Sequence, residues 1–196
     1  MSATCNPAKG RVDLYWIPLG AGAALPVVRW SGRLFEGVAA LRARRRPENL
    51  YHAALEIWLD DVRSTVEMAP AWGSGHGREG VVGEGPVGLR MLGRSRFFRY
   101  ELRRWRGGII PDLAEAVDGP TRVTTDSDQT LAVLEAVSSF PRVTWGRDEL
   151  KTGDMWNSNS LVAWALTHAG VDLSSVSPPR GGRAPGWSAG VVAATR

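Results

Sequence analysis

The chain reads YHAALEIWL at 51–59, DD at 60–61 and VRSTVEMA at 62–69. Both outer runs are rich in apolar, aromatic and β-branched residues, which favour strands. The two aspartates between them are typical turn residues. The stretch therefore predicts a tight β-hairpin.

A two-residue turn sets the register of this hairpin. Leu59 then pairs with Val62, and the ladder places Ala54 opposite Glu67. His52 becomes a diagonal neighbour of Glu67 on the same face, about 7–8 Å away at the backbone and within reach of a long carboxylate. A slip of one residue would send the two side chains to opposite faces. We expect the other face to be the core side, because its side chains are apolar: Leu55, Ile57, Val66 and Met68.

Further elements are predicted on both sides of the hairpin. Helices are predicted where apolar residues recur at helical spacing between capping and terminating residues, at 33–46, 125–137 and 157–168. Strands are predicted where apolar and aromatic residues cluster between turn residues, at 12–17, 96–105 and 187–194.

A glycine-rich stretch, 73–93, predicts a loop. It contains GEGPVG at 83–88, a formal match to the dinucleotide-binding pattern. That pattern needs a strand before it and a helix opening from it, and Pro86 argues against such a context. No cofactor is therefore expected, and a loop beside an active site is the alternative.

Length and composition indicate one folded domain, 1–196, with a loose segment at 1–10. The 196 residues are 43% hydrophobic and 22% charged, which is ordinary for a globular protein. A single cysteine, Cys5, excludes an intramolecular disulfide and a cysteine-based metal site, so no metal is expected. Residues 1–10 lack the apolar core of a signal peptide, and no apolar run is long enough to span a membrane. We expect a cytoplasmic protein of open oligomeric state.

The late helix carries a resemblance to a known family. NSNSLVAWAL at 157–166, followed by AGVDL at 169–173, resembles the nucleophile helix of NlpC-type cell-wall peptidases. In that family an aspartate or asparagine precedes a cysteine at the start of the helix, and a Gly-[VI]-x-Leu exit follows. Ser158 stands in the position of the cysteine. Asn157 and Trp156, together with Tyr51, are candidates for lining the cleft.

The hairpin carries a second resemblance. It looks like the histidine hairpin of lecithin:retinol acyltransferase-like proteins, which are circularly permuted members of the same superfamily. In those proteins the position that matches Glu67 is usually a second histidine. The order of the two motifs, with His52 first and the helix later, is the order that permutation requires. The resemblance implies an α+β, circularly permuted papain-like (NlpC-type) domain, in which an antiparallel sheet packs against a nucleophile-bearing helix.

The resemblance also implies an acyl-transfer enzyme, either an amide or ester hydrolase or an acyltransferase. Its substrate would be a small-molecule, peptide or lipid acyl compound. A serine hydroxyl is too weak an acid to act alone, so Ser158 needs a general base, and His52 is the candidate. Glu67 would stabilise the imidazolium that forms.

Three alternatives remain open. Ser158 could simply be a helix N-cap, with His52 and Glu67 solvated or structural. The chain could be a catalytically inactive papain-like binding module that has lost its cysteine. It could also bind an anionic surface or nucleic acid, although the alternating charges favour a solvated strand and make nucleic acid unlikely. That third possibility would use the arginine-rich stretch at 90–106: Arg90, Arg94, Arg96, Arg99, Arg103, Arg104 and Arg106, with Phe97, Tyr100 and Trp105.

Overall fold

A computed structural model describes residues 9–21, 36–37, 40–42, 44–71, 79–110 and 112–196. Within these ranges the fold is α+β, with one mainly antiparallel sheet and helices packed on one of its faces. The strands are β1 (Gly10–Pro18), β2 (Asn49–Leu59), β3 (Val62–Pro70), β4 (Val81–Pro86), β5 (Arg99–Arg106), β6 (Val117–Thr124) and β7 (Gly182–Arg183). The helices are α1 (Ser127–Ser139), α2 (Ser158–His168) and α3 (Trp187–Ala194), with short 3-10 helices at Arg90–Arg94, Arg96–Phe98 and Leu113–Glu115.

Two expected segments lie largely outside these ranges. Most of the loose segment at 1–10 is not described, and residue 10 already belongs to β1. Of the helix expected at 33–46, residues 36–37 and 40–42 are helical. Among the described residues, none of the helices combines the length and apolarity that a bilayer crossing requires.

The central hairpin has the predicted register. β2 and β3 pair antiparallel from Leu59↔Val62 to Leu55↔Val66, so the turn consists of the two aspartates. Asp60 has a φ of 54°, a left-handed conformation that aspartate tolerates better than most residues. The tight turn thus fixes which side chains of the hairpin share a face.

The hairpin lies in the middle of the sheet. The strand order is β4-β5-β3-β2-β1-β6, and β7 adds a short parallel pair to the first residues of β2. The two edge strands, β4 and β6, each contain a proline, Pro86 and Pro120. Proline removes a ladder donor, so it is tolerated at an edge and discourages further pairing.

The two faces of the sheet differ in character. One face packs against α1, α2 and α3 and forms the main core, which includes Leu55, Ile57, Val66 and Met68 as predicted. The other face carries a small apolar cluster, Ile17, Ala54 and Ile110. Around this cluster the buried side chains are mostly polar or charged: Asp13, Glu56, Thr65, Glu101 and Arg103.

The strand expected at 187–194 is wrong, because these residues form α3. Gly186 precedes the helix with a φ of 88°. Gly190 allows α3 to approach α2 closely, since a Cβ on Gly190 would lie 2.3 Å from the Ser160 carbonyl oxygen. Small residues favour this close helix contact, and only tertiary packing reveals their role.

The glycine-rich loop expected at 73–93 is also wrong in part. Residues 72–78 lie outside the described ranges, but 81–86 form β4 and 90–94 form a 3-10 helix. A Cβ on Gly85 would lie 2.4 Å from the Tyr100 ring, so the glycine is required by close packing of β4 on β5. Glycine here indicates a crowded strand.

Two boundaries differ from the sequence prediction. No strand was predicted at 117–124, which contains Pro120, but these residues form the edge strand β6, which pairs irregularly with β1. The strand expected at 96–105 begins only at Arg99, and Phe98 belongs to a 3-10 helix and is 42% exposed. Tyr100 and Leu102 of β5 lie on the core face of the sheet.

Substitution of Gly190 tests the contact between α2 and α3. We expect Gly190→Ala to lower the free energy of unfolding by at least about 2 kcal/mol, because the added methyl overpacks a backbone contact. Gly37 is helical with open space around it, so Gly37→Ala should be neutral or stabilise by up to about 1 kcal/mol. Urea unfolding of both variants measures the difference, and equal stabilities would contradict the close packing.

Candidate active site

The start of α2 is capped by Asn157. Its side-chain oxygen accepts from the backbone N–H groups of Asn159 at 2.9 Å and Ser160 at 3.3 Å. In return the Ser160 hydroxyl oxygen accepts from the Asn157 N–H at 3.0 Å, which completes a capping box. Ser158 is therefore the first residue of the helix and is not its N-cap. The alternative that Ser158 is simply the helix N-cap is therefore wrong.

The side chain of Asn159 docks the helix on the sheet. Its amide oxygen accepts from the Ala53 N–H at 2.7 Å, and its amide nitrogen donates to the Tyr51 carbonyl at 3.0 Å. The pairing of β2 with β3 ends at Leu55, so these two backbone groups of β2 lack a strand neighbour on that side. The Asn159 amide takes the place of that neighbour. The two bonds lie on either side of His52.

The other flank of the helix start is held by residues 185–186. The amide nitrogens of Asn157 and Asn159 both donate to the Pro185 carbonyl at 2.8 Å. The Ser160 hydroxyl donates to the Gly186 carbonyl at 2.8 Å. The first turn of α2 is thus clamped between β2 and the chain that leads into α3.

Ser158 itself is 9% exposed and precedes Asn159, whose side chain bonds β2 where the pairing with β3 has ended. Neither its hydroxyl nor its backbone N–H forms a hydrogen bond with any residue of the described ranges. The N–H groups of the next two residues are already bonded to Asn157. Of the first three amides of the helix, that of Ser158 alone remains open to a ligand.

His52 points away from the body of α2. It pairs with Ile17, while its neighbours Tyr51 and Ala53 belong to the main core. Its ring forms no hydrogen bond within the described part of the chain. Burial lowers the pKa of His52 from 6.5 to about 4, so the imidazole is neutral at physiological pH.

Glu67 lies on the same face as His52, as the register predicts. It pairs with Arg103 of β5 and is partly buried. Burial raises the pKa of Glu67 to about 7, Arg103 opposes this shift, and Asp112 adds to it. Among the described residues no hydrogen bond joins Glu67 to His52 or to any other group. The structure therefore gives His52 no bonded carboxylate.

The three cleft candidates have structural roles. Trp156 is 1% exposed, stacks on Phe140 with ring centroids 4.7 Å apart, and donates its indole N–H to the Pro141 carbonyl at 3.1 Å. It is a core residue, so the expectation that it lines a cleft is wrong. Tyr51 is buried on the core face, and Asn157 is the cap.

The arginine-rich stretch does not form an open cationic strand. Arg103 is 1% exposed and donates to the Glu101 carboxylate at 3.0 Å, and Tyr100 is buried. Arg99 bonds Glu84, and Arg104 donates to the Leu134 carbonyl at 2.8 Å. These three arginines of β5 are therefore buried or bonded within the fold, and binding of an anionic partner by the whole stretch stays a prediction. Arg90, Arg94 and Phe97 lie before the strand.

Sequence reasoning missed Asn159 and Asp112. Asn159 could have been recognised, because an asparagine just before an apolar helical run must bond something once that run is buried. Asp112 gives no such signal. Among the described residues there is also no group of three or more histidine, cysteine, aspartate or glutamate side chains that could hold a metal ion.

The opposite pKa shifts of His52 and Glu67 predict opposite effects on stability. The unfolded state binds more protons at His52 between pH 4 and 6.5, so that group makes stability rise with pH in this window. The folded state binds more protons at Glu67 between pH 4.5 and 7, so that group makes stability fall with rising pH. The two slopes oppose each other in the wild type.

Each slope should appear when the other group is removed. We expect Glu67→Gln to make stability rise more steeply with pH up to 6.5, and His52→Gln to make it fall up to pH 7. Urea unfolding of the three proteins across pH 4 to 8 measures this. Curves that stay parallel to the wild type would contradict the burial of both groups.

Asn159→Ala should weaken the docking of α2 on the sheet. It removes three hydrogen bonds and leaves the buried Ala53 N–H without a partner. We expect a loss of about 2–4 kcal/mol in unfolding free energy. The matched control is Asn49→Ala at the exposed start of β2, which should change stability by less than about 0.5 kcal/mol.

The chain matches no protein-family model. Comparisons with curated proteins and with solved structures find no match either. The chemistry of the site is therefore inferred from its own residues: Ser158 at the open helix start, His52 beside the docking bonds, and Glu67 on the same face as the histidine.

Proposed function

We propose that the protein is an acyl-transfer enzyme that acts on an amide or ester. In the first step the Ser158 hydroxyl oxygen bonds to the carbonyl carbon of the substrate, and its proton passes to His52. The tetrahedral intermediate then collapses, and the leaving amine or alcohol takes the proton from His52. Water or an acceptor attacks the acyl-Ser158 intermediate in the same way and releases the product.

The observation that carries this proposal is the docking of Asn159 across His52. The residue that follows Ser158 is hydrogen-bonded to the backbone on both sides of the histidine, at 2.7 and 3.0 Å. His52 lies on the opposite face of β2 from the body of α2, so the serine hydroxyl and the imidazole would meet through the gap that opens where the pairing of β2 with β3 ends. Both groups are without a hydrogen-bond partner among the described residues, so each is free to bond the other or a substrate.

The helix start supports the charge that develops during the reaction. The Ser158 N–H lies next to its own hydroxyl and is the uncapped amide of the first turn. An oxyanion that forms on the attacked carbonyl would accept from this N–H and would lie at the positive end of the helix dipole. The same position suits a cysteine, which is consistent with the resemblance to the NlpC-type helix.

The state of His52 supports its role as a base. With a pKa of about 4 His52 is neutral at pH 7, so a ring nitrogen can accept a proton, although a pKa this far below 7 makes the imidazole a weak base. Glu67 forms no hydrogen bond to the His52 ring among the described residues. Its proposed role is therefore electrostatic, through a carboxylate on the same face of the sheet. Its pKa of about 7 means that it would lose its proton more readily once His52 becomes positive.

One observation favours a second candidate function, a non-catalytic binding module. Asn157 already occupies the N–H groups of Asn159 and Ser160, so much of the anion-binding capacity of the helix start is used. In a module that has lost its catalytic cysteine, this cap would stabilise the helix in place of a bound substrate. Such a module keeps the fold and forms no acyl intermediate.

Covalent labelling distinguishes the two candidates. We expect a fluorophosphonate to form an adduct on Ser158, which mass spectrometry of the digested protein locates. His52→Gln should slow labelling by about 10²–10⁴-fold through loss of the base. Glu67→Gln should shift the pH profile of labelling. The control Ser174→Ala removes an exposed serine that bonds only Asp172 and should label normally.

A cysteine variant provides the second readout. In a Cys5→Ser background, Ser158→Cys should react with iodoacetamide faster than an unactivated thiol, because the helix start lowers the pKa of a cysteine. Additional His52→Gln should reduce that rate. A folded Ser158→Cys protein with an unreactive thiol, together with a wild type that takes no fluorophosphonate, would establish the binding module.

A further inference from the structure

An apolar patch is concentrated in ten residues between β4 and β5. The stretch 89–98, here called the 3-10 segment, consists of two short helices in which no residue is buried. The described part of the chain has nine exposed large apolar side chains, and five belong to this segment: Leu89, Met91, Leu92, Phe97 and Phe98. Met91 and Phe97 are 88% and 73% exposed. Such a concentration on one short segment is characteristic of an interaction site.

The charge of the 3-10 segment has one sign. Arg90 and Arg94 form no ion pair or hydrogen bond with a described residue, and Arg96 uses one nitrogen to donate to the Ala71 carbonyl at 3.3 Å. The sequence from Pro86 to Tyr100 contains no acidic residue. Exposed apolar side chains are thus interleaved with free cations.

The segment is built into the fold. The Val87 N–H donates to the Phe98 carbonyl at 2.8 Å, which closes the base of the segment. Gly93 packs on Pro86, since a Cβ there would lie 2.8 Å from the proline ring. Gly88 donates to the Trp145 carbonyl at 2.9 Å and accepts from Arg147 at 2.6 Å. The apolar side chains are therefore held outward on an ordered base.

We propose that the 3-10 segment docks the protein on an anionic phospholipid surface. Met91 and Phe97 insert between lipids, where their side chains leave water, and Arg90 and Arg94 bond lipid phosphates. Nucleic acid fits this surface less well, because leucine and methionine side chains have no role against a phosphate backbone. The inference is independent of the proposed acyl transfer, since it uses no residue of that site.

The test is co-sedimentation with two kinds of large unilamellar vesicle. We expect binding to vesicles of equal parts phosphatidylcholine and phosphatidylglycerol and much weaker binding to phosphatidylcholine alone. Met91→Ser with Phe97→Ser should lower the bound-to-free ratio on anionic vesicles by about tenfold or more. Arg90→Gln with Arg94→Gln should lower it as well and should reduce its dependence on salt.

A matched control separates the patch from general surface hydrophobicity. Ile109 is 71% exposed and lies outside the segment, so Ile109→Ser should bind as the wild type does. Circular dichroism confirms that each variant is folded. The proposal is overturned if the wild type does not sediment with anionic vesicles, if the Met91/Phe97 variant binds normally, or if the protein binds a single-stranded oligonucleotide in preference to the vesicles.

Discussion

The side chain of Asn159 forms the hydrogen bonds to β2 that a neighbouring strand would otherwise form. β2 continues for several residues after β3 has turned away to pair with β5 alone, which leaves backbone groups of β2 open in the middle of the sheet. Buried backbone groups without partners destabilise a fold by a few kcal/mol each. An asparagine amide offers one donor and one acceptor, which matches the Ala53 N–H and the Tyr51 carbonyl. The sheet, the position of α2 and the site all depend on this contact.

The face of the sheet opposite the helices buries charged side chains, and several of them are bonded to one another. Glu101 and Arg103 are both almost fully buried and bonded to each other, and Tyr15 donates to Glu56 at 3.1 Å. Each pair satisfies polar atoms of both its members. His52 and Glu67 differ from them, since each is desolvated without a hydrogen bond in the described residues. Perturbed groups that lack a structural partner are the ones expected at a functional site.

Local patterns predicted the hairpin, its register and both faces, because a two-residue turn and alternating side chains determine them within twenty residues. They also predicted α1 and α2, which have clear caps. The errors arose where a distant element decides. Gly85 belongs to a strand because it packs on Tyr100, and 187–194 is helical because Gly190 fits against α2. Such contacts between remote residues leave almost no local trace.

In the candidate site, too, local patterns predicted some features and contacts between distant residues determined the others. Sequence placed Ser158 at a helix start and put His52 and Glu67 on one face, yet it could not reveal that Asn159 links the two elements. It also suggested a carboxylate within reach of the imidazole, whereas no hydrogen bond joins the two groups among the described residues, and burial lowers the pKa of His52 and raises that of Glu67. In the proposed acyl transfer the nucleophile is a serine. Its proton must be accepted during attack, so a neutral imidazole is the correct resting state. The positive charge that then forms on His52 would lower the pKa of Glu67, and a proton leaving Glu67 would stabilise that charge.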